Sequence, residues 1–266
     1  MRGPSADPAL LDEAVELARA AGAMTLKVFR TDGVRLLDKG DGSTVTEVDL
    51  AVERFLRASI EERHPDDAII GEELPDRPGS SGRTWVVDPI DGTESFVHGV
   101  VTYSTAIAVL DDHGTVIGVT CSPAAGETVY AGRGLGCVWD GAPARVSERA
   151  ELRGAFLTTS DQEDWPVEAW LAVRDAGVRV RDWGNAYGVG LAVTGRVDAF
   201  VDYGLAPWDL APMAVLAEEA GGRFSVLDGS QRLDGRIGLV SNGRLHEELL
   251  TLLREGVRDV DGAPEW

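Results

Sequence analysis

The stretch Trp85-Val-Val-Asp88-Pro-Ile-Asp91-Gly-Thr93-Glu94-Ser-Phe96 holds the residues most able to do chemistry. Trp85 to Val87 read as a short buried strand that Pro89 must end or bend, because proline has no N–H for a ladder. Asp88 and Asp91 then converge across the resulting turn. Two ionised carboxylates held that close repel each other unless a cation sits between them. All-oxygen ligation suits a hard divalent ion such as Mg2+. Gly92 lets backbone come close to a ligand, and the Thr93 hydroxyl and the N–H groups that follow can face an anion. The same letters also fit a surface turn, since D-G steps are common turn signals.

Two further acidic positions bear on that choice. Ile69-Ile70-Gly71-Glu72-Glu73 sets an acidic pair directly after an apolar, strand-like stretch. Leu205-Ala-Pro207-Trp208-Asp209 leads into an apolar run that ends at Gly221-Gly222. Asp209 falls where a helix should start, in the N-cap place. Pro212 is tolerable only in a first turn, and Gly221 suits the C-terminal cap. Trp208 should wedge the turn before it. With Glu72, Asp88 and Asp91, Asp209 completes a four-carboxylate set, enough for two or three Mg2+ ions sharing ligands.

Together these motifs resemble the inositol monophosphatase family of Mg2+-dependent phosphatases. The likeness runs over nearly the whole chain and rests on G-E-E at Gly71 to Glu73, D-P-I-D-G-T at Asp88 to Thr93, and W-D at Trp208 and Asp209. It implies an α/β (α+β) fold, a layered αβαβα sandwich of the inositol monophosphatase and fructose-1,6-bisphosphatase type, acting as a homodimer. It also implies that Glu72, Asp88, Asp91, Asp209 and the carbonyl of Ile90 hold the metal. Lys39, Asp49 and Thr93 match the family's lysine, aspartate and threonine beside the attacking water. Gly92, Thr93, Glu94, Gly184, Asn185, Ala186 and Asp202 match substrate-side positions, with Asp202 gripping a hydroxyl or amine. Glu94 departs from the family: inositol-phosphate members usually carry Thr there and histidinol-phosphate members Lys. Asn185 replaces an acid common in the histidinol group. The implied reaction is hydrolysis of a small phosphomonoester by activated water, the ester being of the histidinol phosphate or myo-inositol 1-phosphate type. A phosphorylated specialised metabolite or nucleotide-type sugar phosphate is the alternative substrate.

Other classes fit less well. An aspartyl-phosphate enzyme of the haloacid-dehalogenase kind needs its two acids two residues apart, and here they are three apart. A non-catalytic metal-dependent binding module would be expected to have lost a carboxylate, Thr93 or Asp49, and all are present. His64, His98, His113 and His246 are scattered and read as structural or surface residues. The loop from Lys39 to Ser43 lacks the alternating acids of a calcium loop.

The elements that must position these groups can be read from periodicity. Asp7-Pro8 should cap a helix that runs to about Phe29. Val52, Phe55, Leu56 and Ile60 give a second helical stripe from Asp49 to His64-Pro65. Strands are expected at Tyr103 to Leu110, Val116 to Cys121, Thr128 to Ala131 and Gly136 to Trp139, with turns at Asp112-His-Gly114 and Asp140-Gly141. Beyond a junction at Ser147 to Arg153, strands near Ala155 to Thr159, Val178 to Arg181, Ala199 to Asp202 and Ile237 to Ser241 alternate with helices. One of those helices spans Ala186 to Thr194. This divides the chain into an N-terminal α+β half, 1–150, that carries the metal motifs, and a C-terminal α/β half, 151–266, that completes the site.

Composition sets the bounds. The chain has 266 residues, 44% of them hydrophobic, enough for substantial cores. Cys121 and Cys137 lie in apolar segments without metal-type spacing and read as reduced thiols of a cytoplasmic protein. No leader segment and no membrane-length apolar run is apparent. Forty-five acidic against 25 basic residues give a net charge of −20, which argues against nucleic acid as partner.

Overall fold

The computed structural model describes residues 3–31, 34–38 and 44–257. Helix α1 (Pro8–Leu26) starts as expected, with the Asp7 carboxylate accepting from Ala9 N at 2.9 Å, but stops short of Phe29. A ribbon of β1 (Leu36–Asp38) and β2 (Thr44–Thr46) leads to α2 (Glu47–Arg63). Lys39 and the rest of its loop lie outside the described residues. Thr46 and Asp49 form a reciprocal capping box at the start of α2.

The first sheet has seven strands in chain order: β3 (Ala68–Gly71), β4 (Thr84–Asp91), β5 (Ser104–Asp111), β6 (Gly114–Ser122), β7 (Glu127–Gly132), β8 (Gly136–Trp139) and β9 (Ala142–Pro143), with the short helix α3 (Thr93–Val97) after β4. Only β3 and β4 pair in parallel. The second sheet comes from β10 (Phe156–Thr159), α4 (Val167–Asp175), β11 (Arg179–Asp182), α5 (Asn185–Val193), β12 (Ala199–Tyr203), α6 (Pro207–Glu219), β13 (Arg223–Val226), β14 (Ile237–Ser241) and α7 (His246–Leu253). Its strand order is β11-β10-β12-β14-β13, with β10 parallel to both neighbours.

Three apolar clusters glue five layers together, which is the expected αβαβα sandwich. α1 and α2 cover one face of the seven-stranded sheet through Leu10, Leu17, Val52, Leu56, Val87 and Ile117. α5 and α6 fill the space between the two sheets. α4 and α7 close the far face of the five-stranded sheet. The mostly antiparallel sheet is buried on both faces, so its strands read as nearly continuous apolar runs rather than as alternation.

Of the two outcomes open to Pro89, the structure takes the bend, and Asp88 and Asp91 converge within the strand rather than across a turn: β4 continues to Asp91, and its pairing with β5 slips between Asp88↔Ala106 and Asp91↔Ser104. Three steps on β4 oppose two on β5, which is a bulge, and proline's missing N–H falls inside it. Asp209 is not an N-cap. Ala206 takes that place, Pro207 opens α6, and Asp209 sits in its first turn with Oδ2 accepting from Ala206 N at 2.8 Å. Pro212 therefore lies inside the helix and beyond its first turn.

Candidate active site

Four strands end at one place. β3 delivers Glu72, β4 delivers Asp88 and Asp91, β10 delivers Ser160, and β12 delivers Asp202. The starts of α2, α3, α5 and α6 meet them with Asp49, Thr93, Ala186 and Asp209. Strand C-termini and helix N-termini are where αβ layers open towards ligands, and the helix ends turn positive dipoles on anions.

The bulge in β4 does the first piece of work. Residues three apart on a regular strand point to opposite faces. One extra residue reverses that parity, so oxygens of Asp88, Asp91 and Asp209 lie within 4.8 Å of one another, a set able to hold a metal ion. Burial, then the charges of Glu72, Asp91 and Asp209, hold the Asp88 carboxyl well above the usual carboxylate range. Burial, then Asp91, does the same to Asp209. Asp91 is pushed up to about 7 by burial, against the opposing pull of a hydrogen bond from Ala186 N. Glu72 contributes to all three. Asp88 Oδ1 is buried with no hydrogen-bond partner. An orphaned carboxylate oxygen among other carboxylates is the donor set of a hard cation, so the residues fit the metal that the motifs imply.

Beside this cluster, Thr93 Oγ1 lies 3.0 Å from the Ile90 carbonyl and 3.3 Å from Asp49 Oδ1. Asp49 is fully buried, and its other oxygen is taken by Thr46 N at 2.8 Å and Thr46 Oγ1 at 2.5 Å. Burial is the main reason its carboxyl is raised, with Glu72 adding to it and the Thr46 bonds opposing it. Gly92 has φ +84°, and a Cβ there would overlap the Asn185 amide.

The second half supplies the opposite wall. Asn185 takes φ +59°, a left-handed conformation that Asn tolerates better than most residues. That turn sends its N–H to Ser160 Oγ at 2.5 Å and the next N–H, of Ala186, to Asp91. Asp202 is buried beneath this wall. Its Oδ1 accepts from Thr159 Oγ1 at 2.7 Å and Ser160 N at 2.6 Å, and its Oδ2 accepts from Ser160 Oγ. Burial outweighs those bonds and pushes its carboxyl up to about 7.

A cleft of about 190 Å3 joins Asp91 and Asp209 to Asp202, Ser160, Asp161 and Asp164. Asn185 and Ala186 also line it. Glu94 does not. Its side chain is 69% exposed, pairs with His98 at 3.4 Å and accepts from Thr44 Oγ1. Gly184 precedes α5 as its N-cap without lining the cleft.

The four histidines lie elsewhere. His64 meets Glu13 and stacks on Trp85, and His246 is buried between Ser225 and Ser241. His98 pairs with Glu94 on the surface, and His113 is exposed at a hairpin turn. Trp208 packs against Val86, Ala108 and Ala211, as a wedge beside Asp209 should. Cys121 and Cys137 are buried free thiols. Among the described residues no helix is long and apolar enough to cross a membrane.

Ser160, Asp161 and Asp164 escaped the sequence reading. The available signal was their place directly after a buried strand, where a ligand-facing turn belongs.

Comparison with known proteins agrees with this geometry. The model of the inositol monophosphatase family matches residues 7–258. A histidinol-phosphatase of Chlorobaculum parvum is 38% identical over 257 residues, covering 94% of this chain and 98% of its own. A histidinol-phosphatase of Mycobacterium tuberculosis is 38% identical over 252 residues, covering 91% and 97%. Among solved structures, the IMPase of Thermotoga maritima superimposes with a TM-score of 0.84 at 30% identity, covering 95% of this chain and 99% of its own.

Proposed function

The chain belongs to the inositol monophosphatase family and is a phosphomonoester hydrolase, and from that premise we propose that it is a Mg2+-dependent phosphatase acting on a histidinol phosphate type of ester. One observation carries the substrate reading: the cleft leading away from the Asp88–Asp91–Asp209 cluster is walled by Asp202 and rimmed by Asp161 and Asp164. Such an acidic rim favours an alcohol that carries a cation or many hydroxyl donors over one that is neutral and apolar. The names of the two histidinol-phosphatases support the same reading. The likeness to an IMPase keeps myo-inositol 1-phosphate as the second substrate to try.

In this reading Glu72, Asp88, Asp91, Asp209 and the Ile90 carbonyl hold two or three Mg2+ ions. Bound there, Mg2+ supplies the positive charge that lets an anionic phosphate approach, eases ionisation of water and neutralises the departing alkoxide. The chain's own residues do the positioning. Thr93 has one hydroxyl proton and two acceptors for it; when it donates to Asp49 Oδ1, its lone pairs are left to orient a water. Asp49, with its carboxyl raised, can then take up a proton through Thr93. The backbone at Gly92 and Thr93 faces the phosphate at the start of α3. Asp202, Asn185 and Ala186 shape the alcohol end, and Gly184 and Glu94 lie outside the cleft. The labour divides between residues 1–150, which bring the metal motifs, and 151–266, which complete the site. The working protein is a cytoplasmic homodimer that engages neither nucleic acid nor membrane.

A panel assay of released phosphate tests this. Turnover on histidinol phosphate should exceed that on glycerol 2-phosphate and p-nitrophenyl phosphate, should require Mg2+ and should fall when Ca2+ is added. Asp202→Asn should narrow the preference. Full activity after exhaustive chelation would overturn the metal reading, and equal rates on every ester would overturn the substrate reading.

A further inference from the structure

The strand end that carries Glu72 is held from behind by two charged side chains that take no part in the site described above. Glu53 and Arg57 lie one turn apart on α2, Glu53 fully buried and Arg57 nearly so. Arg57 Nε donates to Glu53 Oε1 at 2.7 Å. Glu53 also accepts from Glu73 N at 2.7 Å and Leu74 N at 3.1 Å. Arg57 in turn donates to the carbonyls of Leu74 at 2.8 Å and Pro75 at 2.9 Å. The backbone from 73 to 75 is thus strapped on both its N–H and its C=O sides.

On the other flank of Glu72, Gly71 is locked in the parallel ladder opposite Val87, one residue before Asp88. A Cβ on Gly71 would overlap the Glu53 carboxylate and reach within 2.9 Å of Arg57 Nη2. The missing side chain is what admits the pair. Glu72 is therefore the one residue between a ladder-fixed neighbour and an ion-pair-fixed neighbour. A buried ion pair is weak evidence for stability in itself, because apolar residues of similar volume often serve as well. What apolar residues cannot do is accept two backbone N–H groups and donate to two carbonyls, which sets the direction of the chain leaving β3.

We propose that the Glu53–Arg57 pair is a positioning device for Glu72, placing that carboxylate for Mg2+ binding at the β3 end; this rests on the metal reading above. Partners that orient a metal ligand from behind change metal affinity by about 10- to 100-fold when lost.

The test uses the full chain and three variants: Glu53→Gln, which keeps the shape but presents an amide where an acceptor is needed, Arg57→Lys, and the reference Glu248→Gln on the exposed surface of α7. Mg2+ affinity is measured by calorimetric titration of metal-free protein, folding by circular dichroism and melting, and the strap by amide exchange at Glu73 and Leu74. Glu53→Gln should stay folded, exchange faster at both amides, and bind Mg2+ about 10- to 100-fold more weakly. Its half-saturating Mg2+ for turnover should rise in parallel, with KM for the ester at saturating Mg2+ within about twofold. Arg57→Lys should show a smaller loss in the same direction, and decides alone if Glu53→Gln does not fold. Variants that melt lower yet bind Mg2+ as the wild type does would make the pair merely structural and overturn the proposal. A wild-type chain that binds no Mg2+ would instead overturn the metal reading, and the clamp's role with it.

Discussion

Glu53 and Asp88 are equally deep, 0% and 2% exposed, and both lie close to Glu72 in the same half of the chain. Their surroundings are opposite. Glu53 has a guanidinium and two backbone N–H groups on its oxygens. Asp88 has three other carboxylates around it and one oxygen with no partner. Burying a charge is tolerable when it is paired and hydrogen-bonded and costly when it is not. The first arrangement finishes a piece of structure, while the second stores repulsion that a cation would relieve. Burial alone does not distinguish a structural acid from a functional one; the sign of its neighbours does.

That contrast is sharpest at Asp88 itself. Asp88→Asn should lower turnover by more than about 100-fold, because it removes a ligand charge. In chelator the same variant should melt higher than the wild type, since one repelling charge is gone, and its melting temperature should rise less on adding Mg2+. Normal turnover would reduce Asp88 to a turn residue and erase the contrast with Glu53.

Thr93→Ala comes next. It should lower kcat by about tenfold to 100-fold while leaving KM and Mg2+ binding nearly unchanged, because the interaction serves the transition state. A rise confined to KM would make Thr93 a binding residue and call for another base.

Acidity probes the stored repulsion directly. Asp91 and Asp202 hold their protons up to about pH 7 in the folded chain, against 3.8 ordinarily. Folding therefore binds protons, and without metal these acids favour the folded state progressively as pH falls from about 7 towards 4. His246 works the other way: burial lowers it to about 4 from 6.5, so its contribution is lost as pH falls through that window. Of these groups only Asp91 belongs to the carboxylate cluster proposed to hold the ion, so only its proton competes with metal for the same oxygens. The rise in melting temperature caused by Mg2+ should accordingly be larger at pH 8 than at pH 6, with the His246 effect cancelling in the difference. A rise independent of pH would mean that Asp91 does not hold the ion.

Glu94 should give the smallest effect. At 69% exposure, with His98 and Thr44 for company, it lies outside the cleft. Glu94→Gln should change kcat/KM by less than about twofold, as surface changes away from a site usually do. A large loss of histidinol phosphate selectivity would return Glu94 to the substrate wall.

Much was legible in the chain before folding. The layered αβαβα order comes only as what the motifs' resemblance to one family implies, whereas the acidic residue types, the strand ahead of Asp88 and the helix behind Asp209 follow from local sequence. Those are short-range facts, because a strand or a cap is decided by neighbours a few residues away. Three decisive features are not of that kind. The bulge between Asp88 and Asp91 depends on how β5 aligns opposite, and a one-residue slip reverses which face each carboxylate takes. The N–H that steadies Asp91 comes from Ala186, ninety-five positions away in the chain. Glu53 and Arg57 read as an ordinary pair on a helix, and only the packing of α2 behind Gly71 buries them and turns them on Glu72. The sequence by itself determined which groups were available and which elements carried them. Tertiary structure decided which charges met a partner and which met one another, because that depends on the register and burial of segments far apart in the chain.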